Sequence, residues 1–194
     1  MRAGTLALWM KRNWKQAYVV QEHWTGYYRH LMPPDMERGQ LFWKMNLRIL
    51  READALFPDS RHLGEWINKT LLPIKFTEIP NNVNTELFHL DLKVQSPGKF
   101  RFIHVSTLGY QKNTDGILRC FKRLLEMFPG EAIELLVVGP GHEPHDEWVQ
   151  REIQVKDAVV FTGSKTYPEV AVLMQTAHAM VLFSRFENLP CVML

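Results

Sequence analysis

The chain has 194 residues, of which 46% are hydrophobic and 23% are charged, and its formal net charge is +2. This size and composition suffice to bury one large core or two small ones. So small a positive excess, without basic residues interleaved with aromatic ones, argues against a nucleic-acid-binding protein. Cys120 and Cys191 lie far apart and lack partners at metal-ligand spacing, which favours a reduced, cytoplasmic setting.

The first fifteen residues begin with an apolar octet, Ala3 to Met10, followed by Lys11, Arg12 and Asn13. Because the octet lacks a small-residue cleavage site, we expect a helix of the fold rather than a signal peptide. Residues 1–15 contain no acidic side chain, which leaves open a peripheral contact with the inner face of a membrane.

Apolar runs and amphipathic stretches alternate up to residue 84. They predict strands and helices in the order strand 18–21, helix 37–53, strand 55–57, helix 61–70 and strand 76–79. Residues 85–97 show no clear hydrophobic period, and Ser96-Pro97-Gly98 at their end disfavours regular secondary structure, so we expect a linker there. The sequence therefore predicts a first α/β unit over residues 1–84.

Residues 98–194 alternate more regularly. They predict strands at 100–108, 133–138, 158–162 and 179–183, separated by helices at 114–128, 145–154 and 167–176. This rhythm is typical of right-handed βαβ crossovers in an open parallel sheet. We expect an α/β fold with two Rossmann-like parallel-sheet units, and ligands at the carboxyl ends of the strands.

Two loops of the second unit carry candidate ligand-binding groups. Lys112 follows a strand and precedes a helix, where an ammonium suits a diphosphate, although for this residue taken alone a solvated surface lysine is the favoured interpretation. Gly139-Pro140-Gly141 follows the next strand, and its glycines would let the backbone approach a ligand or merely form a turn. The third glycine of the dinucleotide-binding fingerprint is missing.

A third loop ends in Glu187-Asn188-Leu189-Pro190, and proline is favoured at the first position of a helix, so we expect a helix from Pro190. Its free N–H groups would attract phosphate, and Glu187 would accept hydrogen bonds from sugar hydroxyls or only complement the helix dipole. His23 ends a strand of the first unit, where it could bind a ligand or pack against aromatic neighbours.

Two histidines near residue 144 invite a metal assignment, within His142-Glu143-Pro144-His145-Asp146. Pro144 is expected to break the helical face that would bring both imidazoles together, and no third ligand is evident. We interpret the segment as a polar loop and predict no metal.

Four stretches together resemble the family-4 (group 1) glycosyltransferases of GT-B fold. They are Val19 to His23, Ile79 to Phe88, Val137 to Gly141 and Phe183 to Leu194. The resemblance implies a hexosyl- or glycosyltransferase of polysaccharide biosynthesis. Such an enzyme moves a sugar from a nucleotide-sugar donor to a glycan or lipid-linked acceptor with retention, and requires no metal.

The resemblance also implies residue roles. His23 and Glu187 would act at the reacting centre, Glu187 against the transferred sugar. The donor-binding residues would be Lys112, Gly139, Gly141, Ser164, Arg185, Glu187, Asn188 and Leu189.

The sequence also departs from the family pattern. The family often carries Arg before the strand-end Leu, where this chain has Thr107 before Leu108, so Arg185 is a candidate substitute. The family's second Glu would fall one position beyond Leu194, and its Gly-rich acceptor loop is not found. We therefore expect both units to be incomplete and this chain alone to be inactive.

Two alternatives stay open, a nucleotide-sugar epimerase of similar architecture and a non-catalytic nucleotide-binding fragment. A nicotinamide oxidoreductase is disfavoured because no strand–Gly-x-Gly-x-x-Gly–helix unit exists.

Overall fold

A computed structural model describes residues 2–91, 98–141, 143–153 and 157–194. It divides the chain into two compact units, one of residues 1–82 with 186–194 and one of residues 83–185. Residues 92–97 of the expected linker lie outside the described residues, so the linker and the domain limits drawn from the sequence stay predictions. None of the helices described is long and apolar enough to cross a membrane.

The first unit is built on two parallel strands. Its elements are α1 (Arg2–Trp14), β1 (Val19–Glu22), α2 (Gln40–Glu52), β2 (Ala55–Pro58) and α3 (Arg61–Thr70). Val19 lies opposite Ala55 in the parallel pair. The core contains Leu50, Leu56 and Ile67, which are buried because α2 and α3 each turn an apolar face toward the strands.

The strand predicted at 76–79 is present only as an extended segment beside β2. The N–H of Thr77 donates to the carbonyl of Leu56 at 3.1 Å, and that of Ile79 donates to Pro58 at 3.0 Å. Only Phe76 forms a bridge, opposite Leu56. This segment therefore continues the parallel order of the sheet without forming a regular strand.

The last nine residues pack with the first unit. Phe186 is buried and meets the ring of Tyr28 edge-on at 6.5 Å. The side-chain amide of Asn81 donates to the carbonyl of Leu189 at 2.8 Å. The grouping of this segment with residues 1–82 was not anticipated, because these contacts join residues more than 100 positions apart.

The prediction of a helix from Pro190 is wrong. Pro190 is extended, with ψ of 116°, and a single 3-10 turn follows at Cys191–Met193. The N–H of Met193 donates to the carbonyl of Pro190 at 2.9 Å, three residues back, so the turn closes with the tighter 3-10 pattern.

The second unit is an open parallel sheet with helices on both faces. Its elements are β3 (Phe100–Val105), α4 (Thr114–Met127), β4 (Ile133–Val138), α5 (Glu143–Glu152), β5 (Val159–Gly163), α6 (Tyr167–Gln175) and β6 (Ala179–Met180). The strand order is β5-β4-β3-β6, and all pairs are parallel. This confirms the α/β class and the βαβ rhythm predicted from the sequence.

The centre of this sheet is apolar on both faces. Leu135 and Val137 of β4 pack with the helical residue Phe121 on one face. Leu136 and Val138 pack toward Leu173 of α6 on the other. A strand covered on both sides needs a continuous apolar run, which explains why β4 was located correctly.

Helix α5 begins at Glu143, two residues before the predicted start, with Pro144 inside its first turn. The prediction that His142 and His145 do not share a helical face stays a prediction, because His142 lies outside the described residues. Proline is tolerated in a first turn because the N–H it lacks has no intrahelical acceptor there.

Candidate functional site

The carboxyl ends of β3, β4 and β5 meet at one edge of the second unit. We call residues 106–113 and 139–141, which follow β3 and β4, and residues 163–166, which begin with the last residue of β5, the strand-end loops. They contain Lys112, Gly139, Gly141 and Ser164, four of the residues predicted to bind a ligand. The parallel topology brings these four together, as expected for an open α/β sheet.

Gly139 marks the closest approach between two strand-end loops. It has φ of +144°, and a Cβ atom added there would lie 1.7 Å from the carbonyl oxygen of Ser106. Its N–H donates to the carbonyl of Gly163 at 3.0 Å, which ties the third loop to the second. Gly141 has φ of +82° but open space, its nearest neighbour being the Thr107 oxygen at 4.0 Å. Backbone therefore lines this part of the edge, as close contact with a ligand requires.

A buried histidine sets the conformation of the first strand-end loop. Nδ1 of His104 lies 2.9 Å from the carbonyl oxygen of Val181, which can only accept, so Nδ1 carries the hydrogen. Nε2 is then the acceptor for the Ser106 hydroxyl at 2.8 Å. The Ser106 oxygen accepts in turn from the N–H of Leu108 at 3.0 Å. This chain of hydrogen bonds holds Leu108 at φ of +52°, which is uncommon for a branched side chain.

The same histidine is held neutral. Burial lowers the pKa of His104, the Val181 carbonyl opposes this shift, and the charge of Lys112 lowers the pKa further. A neutral ring is the form that the hydrogen bond from Ser106 requires.

A second histidine, His145 of α5, contacts the first strand-end loop. Nδ1 of His145 lies 3.0 Å from a carboxylate oxygen of Asp115, at the start of α4. Its Nε2 lies 3.3 Å from the carbonyl oxygen of Leu108. Among the described residues, no three side chains of His, Cys, Asp or Glu are grouped so that they could hold a metal ion. His142, the other imidazole of the predicted polar loop, lies outside the described residues.

One turn of the first strand-end loop carries Lys112 and is contacted by Arg185. Lys112 ends the 3-10 turn Tyr110–Lys112 that precedes α4. Nε of Arg185 donates to the carbonyl of Tyr110 at 3.2 Å, and its guanidinium lies 4.6 Å from the centre of the Tyr110 ring. The backbone N–H of Arg185 donates to Gln111 at 2.8 Å. Arg185 is thus fixed beside Lys112, although 73 positions separate them in sequence.

The remaining predicted residues belong to the first unit. His23 follows β1, and Nδ2 of Asn188 donates to its carbonyl at 2.9 Å, so the structure brings these two together. Glu187 precedes Asn188, and the carbonyl of Leu189 accepts from Asn81. Without a helix after Pro190, the dipole argument for phosphate binding by the amides of Asn188 and Leu189 is lost, and their roles stay predictions.

Behind His23 lies a carboxylate that sequence reasoning missed. Asp59 follows β2, is 2% exposed, and places Oδ2 at 3.7 Å from Nδ1 of His23. Its other oxygen, Oδ1, has no hydrogen-bond partner among the described residues, and the same is true of the Tyr28 hydroxyl. Burial raises the pKa of Asp59, while Ser60 and the charge of His23 oppose the shift.

Two signals in the sequence could have located the missed residues. Asp59 occupies the same place after β2 that His23 occupies after β1, and parallel neighbours end at one edge. His104 is a polar residue inside an apolar strand, which indicates a buried group with partners. Asp115 gave no signal of this kind.

The family comparison concerns the second half of the chain. Residues 99–194 match the family described as Glycosyl transferases group 1. No curated protein sequence matches the chain significantly.

Solved structures match nearly the whole chain in fold. A sucrose-phosphate synthase from Thermosynechococcus elongatus has a TM-score of 0.84 at 17% identity, over 98% of this chain and 50% of that one. Anabaena HepE in complex with UDP and glucose has a TM-score of 0.70 at 14% identity, over 96% of this chain and 52% of that one. The pneumococcal O-GlcNAc transferase GtfA in complex with UDP and GlcNAc has a TM-score of 0.64 at 14% identity, over 87% of this chain and 33% of that one.

The chain therefore spans about half the length of the first two structures it matches. The sequence resemblance to group 1 glycosyltransferases is confirmed by the match over residues 99–194, and the fold by the parallel sheets of both units. Residues 99–194 belong to the group 1 glycosyl transferases, and the chain carries the Rossmann-like units of the GT-B fold.

Proposed function

We propose that the protein transfers a sugar from a nucleotide-sugar donor to a glycan or lipid-linked acceptor, with retention, as a family-4 enzyme. The observation that carries this proposal is the set of strand-end loops inside the group 1 region. In these loops the backbone of Gly139 carries no side chain and lies against the loop that contains Lys112. Arg185 contacts the same loop through Tyr110. Because solved relatives contain UDP, a UDP-sugar is the first donor to test.

The strand-end loops have the chemistry that a diphosphate needs. Lys112 offers a point charge, whereas Arg185 offers a planar guanidinium that already lies on the ring of Tyr110. We propose that Arg185 provides the charge that the family places at position 107, where this chain has Thr.

On the first unit we assign the sugar chemistry to His23 and Glu187. Glu187 accepts hydrogen bonds from hydroxyls of the transferred sugar, and His23 lies near the reacting carbon. In this proposal the leaving phosphate helps to remove the acceptor proton. As the resemblance implies that no metal is required, we expect the reaction to proceed in the presence of a metal chelator. These assignments rest on the resemblance and on the half-exposed position of the His23 ring after β1.

A cavity of about 640 Å³ in the first unit is a candidate acceptor site. Its lining includes Trp43, the basic side chains Arg29, Arg38 and Lys44, and Glu37, which forms an ion pair with Arg29. The Arg29 guanidinium lies 5.0 Å from the centre of the Trp43 ring. An indole suits stacking on a sugar, and the basic groups suit an acceptor that carries phosphate or carboxylate. The cytoplasmic location and the peripheral membrane contact stay predictions.

The experiment uses UDP-glucose and UDP-GlcNAc labelled in the sugar, incubated with the full-length protein with and without acceptor, in the presence of EDTA. Labelled product that requires acceptor supports a transferase, whereas sugar isomerisation without acceptor indicates the epimerase. Glu187→Ala is expected to lower turnover about tenfold or more, because a hydrogen bond to a charged group is worth about 1.5–3 kcal/mol. Unchanged turnover with a lower melting temperature would make Glu187 a structural residue.

A further inference from the structure

Asp59 is a buried carboxylate that the proposed chemistry does not use. It is 2% exposed, and one of its oxygens has no hydrogen-bond partner among the described residues. A buried, incompletely satisfied carboxylate is costly, and such groups occur preferentially at functional sites. Its presence at the end of β2 therefore needs an explanation.

Two structural explanations do not account for Asp59. It does not cap α3, since Ser60 is the N-cap and its hydroxyl accepts from the N–H of Leu63 at 3.3 Å. It does not neutralise a lysine or arginine, since among the described basic residues only His23 comes within ion-pairing distance. The imidazole of His23 is thus the basic side chain that faces the Asp59 carboxylate.

The backbone of His23 is fixed by other groups. Its N–H donates to Oε1 of Glu22 at 3.1 Å, and its carbonyl accepts from Asn188 at 2.9 Å. The Asp59 backbone is fixed too, since its N–H donates to the carbonyl of Glu22 at 3.0 Å. The imidazole ring, by contrast, is half exposed and has Asp59 on its Nδ1 side at 3.7 Å.

We propose that Asp59 is a positioning residue that holds His23 in the tautomer with hydrogen on Nδ1, leaving Nε2 as an acceptor. A carboxylate can only accept, so the nitrogen that faces it carries the hydrogen, and the other nitrogen of a neutral ring has the lone pair. The distance of 3.7 Å is loose, and such contacts commonly tighten when substrate binds. The functional meaning of this inference rests on the proposed function, in which His23 faces the substrate.

The phenol of Tyr28 is a second buried group that is influenced by the charge of Asp59. Its hydroxyl is buried without a partner among the described residues, and burial together with the charge of Asp59 raises the pKa of Tyr28 to about 12. The phenol therefore keeps its proton at neutral pH and is available as a donor to Asp59.

The test is a measurement of the His23 tautomer by long-range proton–nitrogen NMR on the full chain with nitrogen-15 histidine, at a pH where the ring is neutral. The chain has eight histidines, so His23→Gln identifies the signal. We expect mainly the Nδ1–H form in the wild type and a larger Nε2–H fraction in Asp59→Asn. A matched control is Asp54→Asn, because Asp54 contacts Lys11 and the N–H of Tyr18 instead.

A wild-type ring that is mainly the Nε2–H tautomer overturns the proposal, and that result needs no variant to fold. An unchanged tautomer in a folded Asp59→Asn variant also overturns it. With a UDP-sugar, Asp59→Asn should lower kcat with little change in donor KM, and adding it to His23→Gln should cause no further loss. If no UDP-sugar is turned over, the proposed function fails, while the tautomer measurement still decides the role of Asp59.

Discussion

Replacing Gly139 with Ala tests the backbone contact between the strand-end loops. The added Cβ would lie 1.7 Å from the Ser106 carbonyl oxygen, and the residue would keep φ of +144°. Backbone strain of this kind costs about 1–3 kcal/mol. Moving a packed neighbour costs about 1–3 kcal/mol more. We therefore expect a loss of about 2–6 kcal/mol in the free energy of unfolding.

The assay is urea unfolding followed by circular dichroism, together with hydrogen exchange of the amides of β3 and β4. With a urea slope of about 1–3 kcal/mol per molar, the midpoint should fall by roughly 1 M or more. Two matched variants separate the causes. Gly141→Ala has φ of +82° but open space, so it should cost only about 1–2 kcal/mol. Gly109→Ala has φ of −87° and no atom within 4 Å, so it should be nearly neutral.

The reasoning is refuted if Gly139→Ala is as stable as Gly109→Ala. It is also refuted if Gly141→Ala is the more damaging change, because steric contact would then not be the main cause. Hydrogen exchange that speeds up only in the first unit would place the defect elsewhere than in the strand-end loops.

Three further outcomes follow from charged or buried groups of the second unit. Lys112→Ala should weaken binding of a nucleoside diphosphate more than binding of the nucleoside, and equal losses in calorimetry would show that Lys112 does not act on phosphate. Because the pKa of His104 is lowered in the folded state, its contribution to stability is full above the unfolded pKa of about 6.5. That contribution falls as the pH drops below this value, so the stability difference between the wild type and His104→Gln should shrink there, and a constant difference would contradict it. Arg101 donates to the buried carboxylate of Glu134 at 2.7 Å. Arg101→Met should lower the free energy of unfolding by an amount toward the lower end of about 3–5 kcal/mol, since a lysine also lies 3.9 Å from Glu134. Adding Glu134→Gln should restore part of the loss, and an Arg101→Met variant as stable as wild type would contradict the estimate.

Local sequence determined the regular elements of the chain. The apolar run of β4 and the amphipathic period of α4 are properties of neighbouring residues, so both were located within a residue or two. The positions of Lys112, Gly139 and Gly141 at strand ends followed from the same periodicity. The strand predicted at 179–183 is shorter in the structure, Ala179–Met180, because only two residues of that edge strand find partners on β3.

The tertiary structure decided which distant side chains meet. Nothing local places Arg185 on the ring of Tyr110, Asn188 on the carbonyl of His23, or Asp59 behind the ring of His23. Sequence patterns report which face of an element is buried, whereas the partner of a polar group depends on how separate strands are ordered in a sheet. The sequence by itself therefore determined the class of fold and the ends of the strands, where we propose that ligands bind. The contacts of His23 with Asp59 and Asn188, and of His104 with Val181, join residues remote in the chain, and only the folded structure determines those contacts.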